Sequence, residues 1–172
     1  MGYFPRRTEP YQRRVSERDW DHHGPSAFRK LAFSLLDMAL LTGVTLRLGR
    51  AALLASAGEG SSEMFVTSLL AGTLFLFLMA TLHLGNFPIR HWVWRAPAFG
   101  LAVGAVESGA SLVLISVGRE PYGSGQAGFA DWLSMALAIV PSRFILIVGF
   151  SIALAFVVQG VRVATLSSEE RL

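Results

Sequence analysis

The chain has 172 residues, of which 52% are hydrophobic and 16% are charged, and its formal net charge is +3. Soluble domains have about a quarter of their residues charged, so this composition argues against a soluble protein. The absence of cysteine excludes disulfide frameworks, thiolate metal sites and cysteine nucleophiles. A mean hydropathy of +0.48, with the apolar residues gathered in long runs, predicts an all-α integral membrane protein.

Four apolar runs reach the roughly 20 residues that a helix needs to cross the hydrocarbon core. The predicted spans are residues 31–55, 64–84, 96–117 and 143–163, between a polar tail at 1–30 and a short tail at 164–172. The apolar segment at 129–140 is too short to cross alone. Its large apolar residues share one face, which predicts an amphipathic helix lying in the membrane interface before the last span. The alternative is one long fourth helix kinked at Pro141.

Lys and Arg residues flank the spans unevenly, which predicts the orientation of the chain. The tail at 1–30 holds seven of them, the loop after the second span holds Arg90 and Arg95, and the C-terminal end holds two more. The loops on the other side hold only Arg119. Both termini should therefore face the cytoplasm, and we expect a bacterial inner membrane. The basic tail favours contact with anionic lipids, whereas its interleaved acids and the lack of a recognition motif argue against nucleic-acid binding.

The charged side chains singled out within the spans are Asp37, Arg47 and Glu107. A charge at the bilayer centre costs at least ~2.5–3.5 kcal/mol on insertion scales, so each group should be paired or functional. Arg47 lies about 6 Å beyond the middle of the first span. Its side chain leans back toward the depth of Glu107, which sits at the middle of the third span. We therefore predict a buried ion pair between Arg47 and Glu107.

Asp37 is about 15 Å from Arg47 along the same helix, too far for direct contact. Its candidate partners are an arginine of the basic loop after the second span, His83, a neighbouring subunit, or a proton that neutralises the acid. The functional alternative groups Asp37, Glu107 and His83 as a proton relay or ion site in a small transporter.

The third span carries the clearest packing pattern. Gly100 and Gly104 are four residues apart, and Ser111 continues the same face past the acid. Small residues at this spacing let another helix approach closely, so this face should meet a helix and not lipid. Ala105 and Gly109 form a second small pair on a neighbouring face, which could admit a second partner.

His83 is the only histidine expected within a span, and it could ligate a heme or a chlorophyll. One chain does not supply two facing axial histidines, so no cofactor is predicted, and a pigment or heme is kept as an alternative. Residues 21–23 (Asp-His-His) are too close in sequence to converge easily on one metal ion. The sole lysine, Lys30, lies at the edge of the first span, which argues against a retinal Schiff base. Serines in the spans have no evident histidine base, so we do not predict an enzyme.

Arg29 and Asp37 lie in the segment FRKLAFSLLDMALL, and residues 85–90 follow the pattern Gly-x-x-Pro-x-Arg. Together these two short segments resemble the RDD family of small membrane proteins. The second segment reads Asn-Phe-Pro-Ile-Arg where the family usually has Thr-Pro-Gly-Lys, and the second span carries no acid. No activity is carried over from the resemblance.

The absence of a catalytic pattern favours a non-catalytic accessory subunit of a larger membrane complex, of the respiratory or photosynthetic kind. Its expected partners are other membrane subunits and lipids. The two alternatives are the small transporter or proton-conducting protein, using Asp37 and Glu107, and a pigment- or heme-binding subunit that uses His83.

Overall fold

A computed structural model describes residues 34–56, 62–123 and 125–169, with side chains described up to residue 161. The tail at 1–30, including residues 21–23, Arg29 and Lys30, lies outside the described residues. The elements in chain order are α1 (Leu35–Ser56), α2 (Ser62–Gly85), α3 (Ile89–Ser116), β1 (Pro121–Tyr122), β2 (Gly125–Gln126), a 3-10 turn (Phe129–Asp131) and α4 (Trp132–Glu169).

Four helices of the described chain are long and apolar enough to cross a bilayer. The candidate spans are Leu35–Ser56, Ser62–Gly85, Ile89–Ser116 and Phe129–Val161. The all-α class with four spans is thereby confirmed, and the chain is an integral membrane protein built as a helical bundle.

The third helix is the centre of the bundle. α3 packs along both α1 and α4 and touches α2 less extensively, whereas α1 and α4 make no extensive contact with each other. In the most apolar 18-residue stretch of each helix, 50% of α3 is buried within the chain, whereas only 11% of α4 is buried. Phe99 and Val103, both fully buried, line the core side of α3. α3 therefore carries the core, and much of α4 faces outward.

The start of α3 differs from the expectation. The helix begins at Ile89, earlier than the predicted residue 96, so the basic segment expected to be a loop is helical. Trp92 explains this, because its indole is buried against the end of α2. Its Nε1–H donates to the carbonyl oxygens of Leu84 at 2.8 Å and Phe87 at 3.0 Å. These bonds hold the first turns of α3 in place.

The prediction of a separate interfacial helix at 129–140 was wrong. A short 3-10 turn leads into one continuous helix, Trp132–Glu169, with Pro141 inside it. The alternative of a single long fourth helix is the one that the structure shows. This helix also continues past residue 163, so the first part of the expected C-terminal tail is helical.

Close packing on both sides of Pro141 accounts for this continuity. A Cβ atom at Gly104 would lie 2.8 Å from Val140 Cα, and one at Gly100 would lie 3.0 Å from Phe144 Cα. A side chain at Gly104 is excluded at this distance and one at Gly100 would be tight, so these two glycines set the separation of α3 and α4. Proline removes one backbone donor from the helix, and the contacts before and after it keep α4 in one piece.

Gly43 performs the same role between α1 and α3. A Cβ atom there would lie 2.8 Å from Val106 Cγ1 and 2.9 Å from both Glu107 N and Val103 O. Because residues four apart share a helix face, this close approach also directs Arg47 toward α3.

A Schellman turn ends α3 and returns the chain to the bundle. Gly118 has a positive φ of 62°, which favours glycine. Its N–H donates to the Ile115 carbonyl at 3.0 Å, and the Arg119 N–H donates to the Leu114 carbonyl at 2.9 Å. The next residue is Glu120, which the turn buries at 1% exposure. The antiparallel hairpin of β1 and β2 follows directly.

Candidate functional site

Two arginines and two glutamates meet inside the bundle, and we call them the charge cluster. Its members are Arg47 of α1, Glu107 of α3, Glu120 of the turn before β1, and Arg143 of α4. Their side chains are 2%, 1%, 1% and 12% exposed, respectively. The cluster therefore joins three helices and the hairpin through formally balanced, buried charges.

Glu107 lies between the two arginines. Arg143 donates two hydrogen bonds to its carboxylate, from Nε to Oε2 at 2.6 Å and from Nη2 to Oε1 at 2.9 Å. Arg47 Nη1 lies 3.9 Å from Oε1 of the same carboxylate. Two-pronged bonds between a guanidinium and a carboxylate are among the strongest and most directional in proteins. Glu107 thus fixes α4 to α3 and draws α1 toward both.

Arg47 is held mainly by Glu120. Its Nε donates to Glu120 Oε2 at 3.0 Å, and its Nη2 also donates to Glu120 Oε1. Nη2 makes a second bond, to Ser111 Oγ on α3 at 3.2 Å. The Arg47 guanidinium therefore donates hydrogen bonds both to α3 and to the turn before β1.

The structure places the predicted Arg47–Glu107 pair within 3.9 Å, but each member has a closer partner that the sequence analysis missed. Glu120 was overlooked because it lies outside every apolar run, and Arg143 because it opens the fourth run. One sequence signal was available for Glu120. A glycine two residues before it, at the end of an apolar helix, is typical of a turn that reverses the chain.

The predicted packing residues of α3 face two different helices. Gly100 and Gly104 contact α4, whereas Ser111 bonds Arg47 of α1. Ala105 and Gly109 point outward, and a Cβ atom at Gly109 would meet nothing within 4 Å in the described chain.

Asp37 is exposed at the N-terminal end of α1, and its partner is Ser34. The Asp37 N–H donates to Ser34 Oγ at 3.1 Å, while Ser34 Oγ donates to Asp37 Oδ2 at 2.7 Å. The Ser34 N–H also approaches Oδ2 at 3.3 Å. This reciprocal arrangement is a capping box. Neither His83 nor Arg95, two of the expected partners, bonds it. Arg95 instead stacks over the Phe87 ring, with Cζ 3.3 Å from the ring centroid.

His83 is buried among aromatic rings at the other end of the bundle from the hairpin. Its ring stacks on Phe99 with centroids 4.8 Å apart and tilts against Phe87 at 5.6 Å. Its Nε2 has no hydrogen-bond partner within the part of the chain that the structure describes.

The expected relay of Asp37, Glu107 and His83 is not joined by any contact among the described residues. Asp37 bonds Ser34, Glu107 bonds arginines, and His83 packs against phenylalanines. Proton transfer needs successive groups within hydrogen-bond reach, directly or through one water. The geometry instead suits the charge cluster for holding helices together.

Among the described side chains, at residues 34–56, 62–123 and 125–161, no group of three His, Asp or Glu could hold a metal ion. Comparison with known proteins adds no relative: no family model matches the chain, and no curated protein or solved structure is detectably similar to it. The two segments that resemble the RDD family are thus not accompanied by a match to any family model.

Proposed function

We propose that this chain is a non-catalytic accessory subunit of a larger integral membrane complex. In this proposal the charge cluster holds the subunit's own helices together, and outward faces of α3 and α4 pack against helices of other subunits. The respiratory or photosynthetic setting expected from the sequence stays a prediction.

The observation that carries the proposal is a contrast between two sets of glycines. Gly43 and Gly104 each sit where another helix of the same chain approaches too closely for a side chain. Gly109 on α3 and Gly149 and Gly160 on α4 are exposed, with nothing of the described chain within 4 Å of a Cβ atom. In membranes, small residues favour helix association because they let backbones approach. The outward glycines offer the same opportunity to a helix from another chain.

Most of α4 is not covered by its own chain. Of its most apolar window, 11% is buried, so lipid or a helix of another chain covers the rest, and only the small residues on this face favour a helix. Ala153, one turn after Gly149, is also exposed. A partner helix placed along Gly149 and Ala153 would cover a face that no described element of this chain covers.

Site-specific crosslinking tests the proposal. Because the native sequence has no cysteine, an introduced cysteine is the only thiol in the chain. Ala153→Cys places one thiol on the outward face of α4, and Leu78→Cys places one on an exposed face of α2 as the matched control. In native membranes, a crosslinker with one thiol-reactive end and one photoreactive end should join the α4 thiol to one defined neighbour, identified by mass spectrometry as another membrane protein.

Three results would contradict the proposal. One is equal, diffuse crosslinking from both positions. Another is an adduct that contains only two copies of this chain. The third is isolation of the protein as a stable monomer whose deletion leaves every larger membrane complex intact.

We further propose that both termini face the cytoplasm of a bacterial cell, with the hairpin on the outer side. The seven cations of the tail at 1–30 support this orientation. Gly125 in the hairpin and Gly85 at the end of α2 are both exposed with open space around them. A membrane-impermeant maleimide should label Gly125→Cys in spheroplasts and Gly85→Cys only after lysis; the reverse pattern contradicts the orientation.

Pigment or heme binding through His83 is the second candidate, and one observation favours it. The imidazole is buried, yet its Nε2 is left without a partner among the described residues. Nε2 is a common metal-binding atom of histidine. A visible absorption band in protein purified from its native membrane, lost in His83→Leu, would support this role. A preparation without such a band excludes it.

A further inference from the structure

A cavity of about 380 Å³ lies between α1 and α4 on the hairpin side of the bundle. Its walls include Arg47 and Arg50 of α1, Tyr122 of β1, and Ser134 of α4. The cavity exists because α1 and α4 both pack on α3 without extensive contact to each other, and the hairpin closes one end. Its volume falls in the range of about 300–1,000 Å³ that is typical of small-molecule sites.

Arg50 brings to the cavity a positive charge that no carboxylate of the described residues pairs with. The other arginines nearby, Arg47 and Arg143, are each bonded to a glutamate of the charge cluster. Arg50 has no carboxylate partner in the described chain, and its guanidinium Cζ lies 5.4 Å from the centroid of the Phe65 ring. Among the described residues, Arg47, Arg50 and Arg143 face Glu107 and Glu120, and Arg50 is the arginine of these three that bonds neither glutamate.

An unpaired cation within a span is costly, and such groups are usually paired or mark a binding site. Arg50 lies six residues before the end of α1, which is about 9 Å along the helix. This depth is close to the boundary between hydrocarbon and lipid headgroups. An anionic group at that boundary can reach Arg50 without crossing the bilayer core.

The opposite wall of the cavity is apolar. Met135, Ala138 and Ile139 of α4 line it, so a hydrocarbon chain can lie along α4 while a charged headgroup stays beside Arg50. The Ser134 hydroxyl donates to the Asp131 carbonyl at 2.7 Å, so its proton is already used and the charge of Arg50 is what recognises the oxyanion.

We propose that this cavity binds the oxyanion of an anionic amphiphile, with Arg50 pairing to a phosphate or carboxylate and the α4 wall contacting the tail. The inference does not depend on the accessory-subunit proposal, because it concerns a different surface of the chain and a small ligand.

Native mass spectrometry of the full chain in neutral detergent tests the site. The probes are phosphatidylglycerol, phosphatidylcholine with the same acyl chains, and inorganic phosphate. The wild-type protein should retain one phosphatidylglycerol, with an affinity at least about tenfold above that for phosphatidylcholine. Arg50→Gln should lose about tenfold or more, since a charge-assisted bond is replaced by a neutral one.

Two further variants make the test specific. Arg119→Gln removes an exposed arginine that does not line the cavity, so lipid binding should stay at the wild-type level. Ala138→Phe fills the cavity without changing any charge, so it should lose phosphatidylglycerol while its melting temperature stays close to that of the wild type. This variant decides the matter if Arg50→Gln fails to fold.

The outcomes separate the two sources of the oxyanion. Retention of phosphatidylglycerol that is lost in Ala138→Phe, and also in Arg50→Gln when that variant folds, supports the site with a lipid as the ligand. Thermal stabilisation of the wild type by inorganic phosphate alone, absent in Arg50→Gln, supports the site with a soluble ligand. Equal binding of both lipids, wild-type binding by a folded Arg50→Gln or by Ala138→Phe, or no response to any probe overturns the proposal.

Discussion

The two ends of the bundle hold their helices together by different means. On the hairpin side, the charge cluster ties residues that are 73 and 36 positions apart in the sequence. At the other end, which we call the aromatic end (His83, Phe87, Trp92 and Phe99), the hydrogen bonds of Trp92 join residues only 8 and 5 positions apart. Lipid tails are as apolar as leucine, so polar bonds and close packing must define the arrangement of helices.

This difference teaches which contacts determine the tertiary fold. The charge cluster connects α1, α3, α4 and the hairpin, so losing one member affects several interfaces at once. The aromatic end connects α2 to the start of α3, so losing one bond there affects a local turn. We therefore expect substitutions on the hairpin side to cost more stability than those at the aromatic end.

The largest loss is expected from Glu107→Gln. This change leaves Arg143 buried without its carboxylate, and breaking one partner of a buried ion pair typically costs about 3–5 kcal/mol. The measurement is the free energy of unfolding in detergent, followed by circular dichroism during denaturant titration. Glu63→Gln, at an exposed acid in the first turn of α2, is the control and should change stability by less than about 0.5 kcal/mol. Equal effects of both variants would remove the distinction between a structural cluster and a surface charge.

An intermediate loss is expected from Gly104→Ala. The new Cβ would lie 2.8 Å from Val140 Cα, so α3 and α4 must separate, and such overpacking costs about 1–3 kcal/mol. Gly109→Ala, five residues on along the same helix, meets open space and should be neutral or slightly stabilising. The same unfolding measurement compares the two, and a stable Gly104→Ala would show that the helices are less tightly packed than described.

The smallest loss is expected from Trp92→Phe at the aromatic end. Phenylalanine keeps most of the buried ring but cannot donate to the Leu84 and Phe87 carbonyls, which costs about 1 kcal/mol. Trp94→Phe changes an indole that is 54% exposed and should cost less. A Trp92→Phe loss as large as that of Glu107→Gln would reverse the proposed ranking of the two ends.

The spans could be predicted from the sequence because the length and composition of an apolar run are local properties. The depth of Arg47 and Glu107, and the small face at Gly100 and Gly104, followed from the rise and periodicity of a helix. The continuity of α4 could not be predicted, because it depends on packing against α3 on both sides of Pro141.

Only two of the four members of the charge cluster, Arg47 and Glu107, were predicted from the sequence, for a related reason. Glu120 reaches Arg47 because a turn at Gly118 folds the chain back, and no periodicity of α3 reports that return. Asp37 was expected to need a distant partner or a neutralising proton, but its place at the helix end lets Ser34 satisfy it. In both cases the missing information was where a helix ends.

A double-mutant cycle on Arg47→Gln and Glu120→Gln measures whether these two side chains join the hairpin to α1 inside the bundle. If they act as one buried pair, the double variant should be more stable than the sum of the single losses implies, by about 1–3 kcal/mol of coupling. Losses that add to within about 0.5 kcal/mol would mean that the two side chains do not interact in the folded protein, and would contradict the account.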